Sequence, residues 1–184
     1  MNMFEHTGTF TQDSLIASNE FPILKEGIGL KAGQGILKRG SLIIKATTGG
    51  AGYIAGTTET VETVSYDAVT PEEGDNPKTE GWYEKSGDNY VATNDTTAAE
   101  GKTYYEKTTT ESTDEIAGKI FGILTDDADT GSDSTESNIP AICYQTGIFN
   151  PSAVIVTGEG ATVNKYKDNM RELSLFLRSV QNYE

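Results

Sequence analysis

Few side chains in this sequence could act as nucleophiles or general bases. The chain has one histidine, His6, and one cysteine, Cys143, and it contains no Gly-x-Ser-x-Gly nucleophile motif. His6 lies in a polar N-terminal stretch. Cys143 stands between Ile142 and Tyr144, which is typical of a small buried hydrophobic residue rather than of a reactive thiol. These residues predict that the protein is not an enzyme.

Three carboxylates resemble part of a calcium-binding loop. Asp127, Asp129 and Asp133 offer hard oxygen ligands at alternating positions. In a complete loop the required glycine would fall at Ser132 and the bidentate glutamate at Asn138, so both necessary residues are missing. We expect a solvated acidic loop here, with no metal ion and no cofactor.

Gly101-Lys-Thr103 resembles the end of a phosphate-binding loop. Thr96 occupies the position where such a loop needs a glycine, so the backbone cradle is missing. The formal net charge of −14 also repels nucleic acid and anionic membrane surfaces. No apolar run approaches the roughly 18 to 20 residues that span a bilayer. Nucleic acid and membranes are therefore not expected as partners.

The composition favours β structure. The 184 residues include 20 glycines and 25 threonines, while hydrophobic residues make up 35%. Threonine is frequent in strands and glycine in turns. A chain of this length can form one domain with a substantial core, or a core of about 125 residues that carries a smaller insertion.

The middle of the chain has a composition of its own. Between Thr58 and Glu115 there is no Ile, Leu, Phe or Met, and the 15 acidic and 4 basic residues of this window give a net charge of −11. The aliphatic residues that build a core return directly afterwards. We predict an acidic insertion at residues 58–113 that interrupts a core formed by residues 22–57 and 114–184.

The insertion concentrates aromatic residues. Trp82-Tyr-Glu-Lys85 is echoed 22 residues later by Tyr104-Tyr-Glu-Lys107, and Ser86-Gly-Asp-Asn89 is typical of a hairpin turn. These features predict a small three-stranded unit with Trp82, Tyr90 and Tyr104 on its inner face. The alternative is an outward aromatic surface that binds a ligand such as a glycan. Its candidates are Trp82, Tyr83, Tyr90, Tyr104 and Tyr105.

The remaining sequence predicts strands and one helix. Residues 35–45, 116–124 and 140–156 contain β-branched and aromatic runs separated by Gly, Pro and Asn. Between residues 161 and 173 the apolar spacing becomes helical, and the leucines that follow alternate as in a strand over residues 175–180. The predicted fold is mostly β with one short helix.

Four apolar segments, taken in order, resemble the lambda-type head decoration proteins of tailed bacteriophages. They are Ile36–Ile43, Phe121–Thr130, Ala141–Asn150 and Arg171–Leu177. Within the insertion, Gly101-Lys-Thr-Tyr-Tyr105 is similar to short aromatic repeats in accessory segments of phage structural proteins. The insertion itself departs from the short members of the family.

The resemblance implies a small β-clip or tulip-like core that forms a homotrimer on the outer surface of the expanded capsid. The protein would then be a structural virion protein that binds the major capsid protein, at three-fold sites, and stabilises the head. In the family an N-terminal arm helps to engage the capsid, and the matching arm here is residues 1–21. Its apolar residues, the candidate capsid contacts, are Phe4, Phe10, Leu15 and Ile16. The alternative is a host-surface or glycan-binding module displayed on a phage particle.

Overall fold

Strands dominate the structure, a computed structural model that describes residues 14–72, 81–99 and 101–180. The predicted mostly-β class with one short helix is confirmed. A 3-10 helix at Val163–Tyr166 continues into the α-helix α1, Lys167–Glu172. The strands of the described residues are β1 Ile16–Ser18, β2 Lys25–Leu30, β3 Ile36–Leu37, β4 Leu42–Ala46, β5 Gly52–Ile54, β6 Thr58–Val69, β7 Trp82–Ser86, β8 Asn89–Ala92, β9 Tyr104–Glu115, β10 Gly118–Leu124, β11 Ala128–Asp129, β12 Ile139–Tyr144, β13 Gly147–Phe149 and β14 Leu175–Leu177.

The chain divides into two compact units. The core unit comprises residues 1–58 and 115–184, and the insertion unit comprises residues 59–114. The insertion predicted from the sequence, residues 58–113, differs from the second unit by a single residue at each end. The disappearance of Ile, Leu, Phe and Met therefore marks this boundary closely. The insertion unit builds its small core mainly from the aromatic residues Trp82 and Tyr104 instead.

The core unit is organised around a closed barrel of five strands in the order β10-β12-β2-β5-β4. Strand β4 is buried on both faces. Ile43 packs with Leu30 and Leu124 in one cluster, while Leu42 and Ile44 pack in a second cluster. This two-sided burial explains why β4 has a continuous apolar run rather than an alternating one.

A three-stranded sheet in the order β1-β13-β14 adds to the second cluster. Strand β14 pairs parallel to β13, and α1 leads into it through Ser174, which has a φ of 64°. The sequence predicted this helix-to-strand transition. The described strand ends at Leu177, earlier than the predicted Val180, while Met170 of α1 is fully buried in the cluster.

The N-terminal arm predicted over residues 1–21 ends inside this sheet. Ile16 pairs with Phe149 in an antiparallel ladder, and Leu15 is only 3% exposed within the second cluster. The prediction of Leu15 as a capsid contact is therefore corrected, because its side chain is part of the core. Ile16 is half-buried, and Phe4 and Phe10 lie outside the described residues.

The insertion begins where Gly56 turns the chain out of the core unit. Gly56 has a φ of 91°, and a Cβ atom there would collide with the carbonyl oxygen of Thr157, so only glycine fits. The backbone N–H of Ile116 donates to the carbonyl of Thr57 at 2.9 Å. This bond holds the two ends of the insertion side by side.

The insertion unit contains a four-stranded sheet in the order β6-β9-β7-β8, rather than the three strands predicted. Strands β7 and β8 form the expected hairpin, in which Ser86 pairs with Asn89. The segments at 57–60 and 108–114 have the polar, low-complexity composition typical of linkers, but most of their residues belong to β6 and β9. Their frequent Thr residues favour strands once a pairing partner is available.

We expect that deleting residues 60–112 and joining the ends with a short Gly/Ser linker leaves a folded core unit. The hydrogen bond between Thr57 and Ile116 places the ends close enough for such a linker. Urea unfolding followed by circular dichroism should remain a single cooperative transition with a smaller m-value, since less surface becomes exposed. A broad, non-cooperative transition would show that the insertion is part of the core.

Candidate functional site

The aromatic residues of the insertion unit lie on two faces of its sheet. Trp82 and Tyr104 are 1% and 0% exposed, and their ring centroids lie 4.4 Å apart. Ala98 and Val69 pack against them. The inner positions predicted for Trp82 and Tyr104 are correct, and their alternative assignment to an outward surface is wrong because they form the core of this unit.

A polar network secures the buried Tyr104. Its hydroxyl donates to Oδ2 of Asp95 at 2.9 Å and accepts from the backbone N–H of Ala99 at 3.1 Å. The Nζ of Lys102 donates to the same Asp95 oxygen at 3.0 Å. Hydrogen bonds from Lys102 and then Tyr104 lower the pKa of the Asp95 carboxyl below its ordinary value. The hydroxyl of a buried tyrosine is thereby satisfied.

The opposite face carries four half-buried tyrosines, which we call the tyrosine cluster: Tyr66, Tyr83, Tyr90 and Tyr105. Tyr66 stacks on Tyr90 with ring centroids 4.2 Å apart. Tyr83 meets Tyr66 at 5.1 Å and Tyr105 meets Tyr90 at 4.9 Å, both edge to face. Each ring is partly covered by its neighbours, and these contacts stabilise this face of the sheet.

Register explains which tyrosines belong to this cluster. Tyr83 pairs with Tyr105, and Lys85 pairs with Tyr90, so these residues share a face. The predicted inner position of Tyr90 is therefore wrong. Sequence reasoning missed Tyr66, although its alternation with Val64 in a Thr-rich run was a signal for a strand.

The core unit exposes an apolar strip on β12 and its partner β2. Ile142 is 52% exposed, and Pro140 is exposed beside it. Their partners in the ladder are Gly27 and Gly29, which have no side chains to cover them. We call Pro140, Ile142, Gly27 and Gly29 the β12 strip. It is an exposed apolar surface.

Cys143 is fully buried in β12. Burial raises the pKa of its thiol to about 12, so the group stays protonated at neutral pH. The interpretation of Cys143 as a small buried hydrophobic residue is confirmed. The absence of enzymatic activity stays a prediction.

The carboxylates of the acidic loop accept hydrogen bonds from neighbouring groups of the protein. Asp127 accepts hydrogen bonds from Lys38 Nζ at 2.7 Å and from the backbone N–H of Arg39 at 2.8 Å. Asp129 accepts from the backbone of Gly131, and Asp133 accepts from Thr135. Within residues 14–72, 81–99 and 101–180, no three His, Cys, Asp or Glu side chains group as metal ligands would.

Comparisons with protein-family models, with curated proteins and with solved structures find no match to this chain. None of the helices in the described part of the chain is long and apolar enough to cross a membrane.

Proposed function

We propose that this protein is a structural virion protein that binds the outer surface of the expanded phage capsid as a homotrimer and stabilises the head. The observation that carries the proposal is the location of the four segments that resemble head decoration proteins. They supply strands that pair directly with one another in the core unit. The first segment contributes β3 and the start of β4, which pair with β11 and β10 of the second.

The same relation links the remaining segments. Strand β10 pairs with β12 of the third segment, and β13 of the third segment pairs with β14 of the fourth. The insertion falls between the first and second segments without dividing either of them. Segments that resemble one family in sequence order thus form one connected set of strands, as homologous core elements would.

The surface of the core unit is compatible with assembly. The β12 strip leaves Ile142 about half exposed, and a symmetric trimer or a capsid would cover such a surface. Three copies bound at one three-fold site act together, so a modest contact in each copy gives strong attachment. The acidic insertion, with most of the net charge of the chain, would keep the particle surface anionic.

The test is binding to expanded capsids assembled from the major capsid protein of the phage that encodes the chain. The full chain is expected to bind as a trimer, with the trimer mass measured by light scattering. Removing residues 1–14 is expected to preserve folding, because Leu15 and the strand that follows remain, and to weaken capsid binding by about tenfold or more.

Two substitutions locate the trimer contact. Ile142→Asp is expected to shift the light-scattering mass toward the monomer, since it places a charge in the β12 strip. The matched control is Ile36→Asp, the same change at another exposed isoleucine, and it should leave the mass unchanged. A dimer mass for the intact chain, both free and capsid-bound, would contradict the trimer. Unchanged capsid affinity after removal of residues 1–14 would place the attachment surface elsewhere.

A further inference from the structure

A surface pocket of about 290 Å³ lies in the insertion unit, near one end of the β7–β9 pair. It is lined by Glu84, Lys85, Lys102, Thr103 and Tyr105. The set combines carboxylate, ammonium, hydroxyl and aromatic groups within one small volume. A ligand that fits it must offer both hydrogen-bonding groups and an apolar surface.

The ammonium group in this pocket is held in place by two carboxylates. The Nζ of Lys102 lies 3.0 Å from Oε1 of Glu84 and 3.0 Å from Oδ2 of Asp95. Asp95 is itself fixed by the hydroxyl of the buried Tyr104. An ammonium has three N–H bonds, so these two acceptors leave one for a ligand. Glu84 has a second oxygen that can accept from a ligand.

The side chains of Lys102 and Glu84 are each about half exposed, so a ligand can reach them. A donor and an acceptor that are already paired lose little conformational entropy when a ligand binds across both. Adjacent hydroxyl groups of a pyranose can engage such a pair at once, because one accepts from the ammonium and the next donates to the carboxylate.

The charges of the pocket select a neutral ligand. Glu84, Lys85 and Lys102 line the pocket. Asp95 lies outside the lining and pairs with Lys102, so the two negative and two positive charges of the group balance. An anionic ligand would meet the surrounding acidic insertion, and a cationic ligand would meet the two lysines. A polyhydroxyl compound without net charge avoids both penalties.

We propose that this pocket binds a neutral saccharide. Lys102 donates to one hydroxyl and Glu84 accepts from its neighbour on the same ring. Thr103 adds a hydroxyl contact, and Tyr105 supplies the apolar contact for the C–H groups of the sugar. The site is distinct from the outward surface expected from the sequence, because only Tyr105 is common to both. It does not depend on the capsid role of the core unit.

The test uses the full chain and two sets of probes. An array of neutral and sialylated oligosaccharides identifies the class, and saturation-transfer difference NMR with the methyl glycosides of mannose, galactose and glucose gives affinities. We expect binding to neutral glycans, with dissociation constants near the millimolar range for single sugars. Glu84→Gln and Lys102→Met are each expected to weaken binding by about tenfold, since each removes a charge-assisted hydrogen bond.

One control variant outside the pocket and one further variant inside it complete the test. Glu111→Gln makes the same chemical change at an exposed position of β9 outside the pocket, and should change affinity by less than about twofold. Thr103→Val leaves the ion pairs intact and should weaken binding by about threefold. Capsid binding should be unaffected by all four variants, which separates this proposal from the capsid proposal.

Three outcomes would overturn the saccharide site. The first is no signal from any neutral glycan on the array and none from the methyl glycosides at about 20 mM. The second is binding that Glu84→Gln, Lys102→Met and Thr103→Val all leave unchanged. The third is a preference for sialylated glycans over neutral ones.

Discussion

Replacing Phe149 with alanine is expected to lower the free energy of unfolding of the core unit by about 3 to 5 kcal/mol. Phe149 is fully buried in β13, the middle strand of the three-stranded sheet, and its ring lies 5.5 Å from that of Tyr144. Removing the ring leaves a cavity among Leu15, Met170 and Leu175, which pack in the same cluster. Urea unfolding followed by circular dichroism measures the loss.

Phe176→Ala is the matched control for this prediction. Phe176 lies in the neighbouring strand β14 and is half-buried, with an edge-to-face contact to Phe21 at 5.1 Å. Its removal should cost about 1 kcal/mol, because part of the ring already faces solvent. Equal losses for the two variants would mean that Phe149 does not occupy the centre of this cluster.

Replacing Trp82 with alanine is expected to unfold the insertion unit while the core unit stays folded. Trp82 and Tyr104 are the two large residues of a small buried cluster, and loss of a buried tryptophan costs about 3 to 5 kcal/mol. A unit of this size has little stability to spare. In a two-dimensional amide NMR spectrum, resonances from residues 59–114 should collapse to random-coil positions, and those of the core unit should remain dispersed.

Val91→Ala is the control for the tryptophan variant. Val91 lies in β8 of the same sheet and is more than half exposed, so its truncation should leave both sets of resonances dispersed. Collapse of the core-unit resonances in Trp82→Ala would mean that the two units do not fold independently. A dispersed insertion in that variant would mean that the aromatic pair is not its core.

Local patterns in the sequence were enough to predict several features. The boundaries of the insertion follow from the disappearance of aliphatic residues, and the buried strand β4 follows from an uninterrupted apolar run. The helix that leads into β14 follows from a change of spacing near residue 173. Each of these features depends on residues that are close together in the chain, so composition and periodicity report it directly.

Other features depend on which strands pair, and local patterns do not report pairing. The polar segments at the two ends of the insertion become parts of β6 and β9 because neighbouring strands satisfy their backbone hydrogen bonds. Leu15 is a candidate capsid contact by sequence, yet it is buried because β1 pairs with β13, more than a hundred residues away in the sequence. Tyr90 belongs to the tyrosine cluster because it pairs with Lys85, which shares a face of the sheet with Tyr83.

Composition and residue spacing alone indicate a mostly-β protein whose aliphatic core is interrupted by an acidic, aromatic insertion. Which aromatic residues are buried, and where polar groups meet, depends on how the strands pair in three dimensions. Glu84 and Lys102 are 18 positions apart and become a pair because β7 and β9 lie side by side. The physical reason is that a side chain's face and neighbours are set by strand register, and register is fixed by contacts between distant segments.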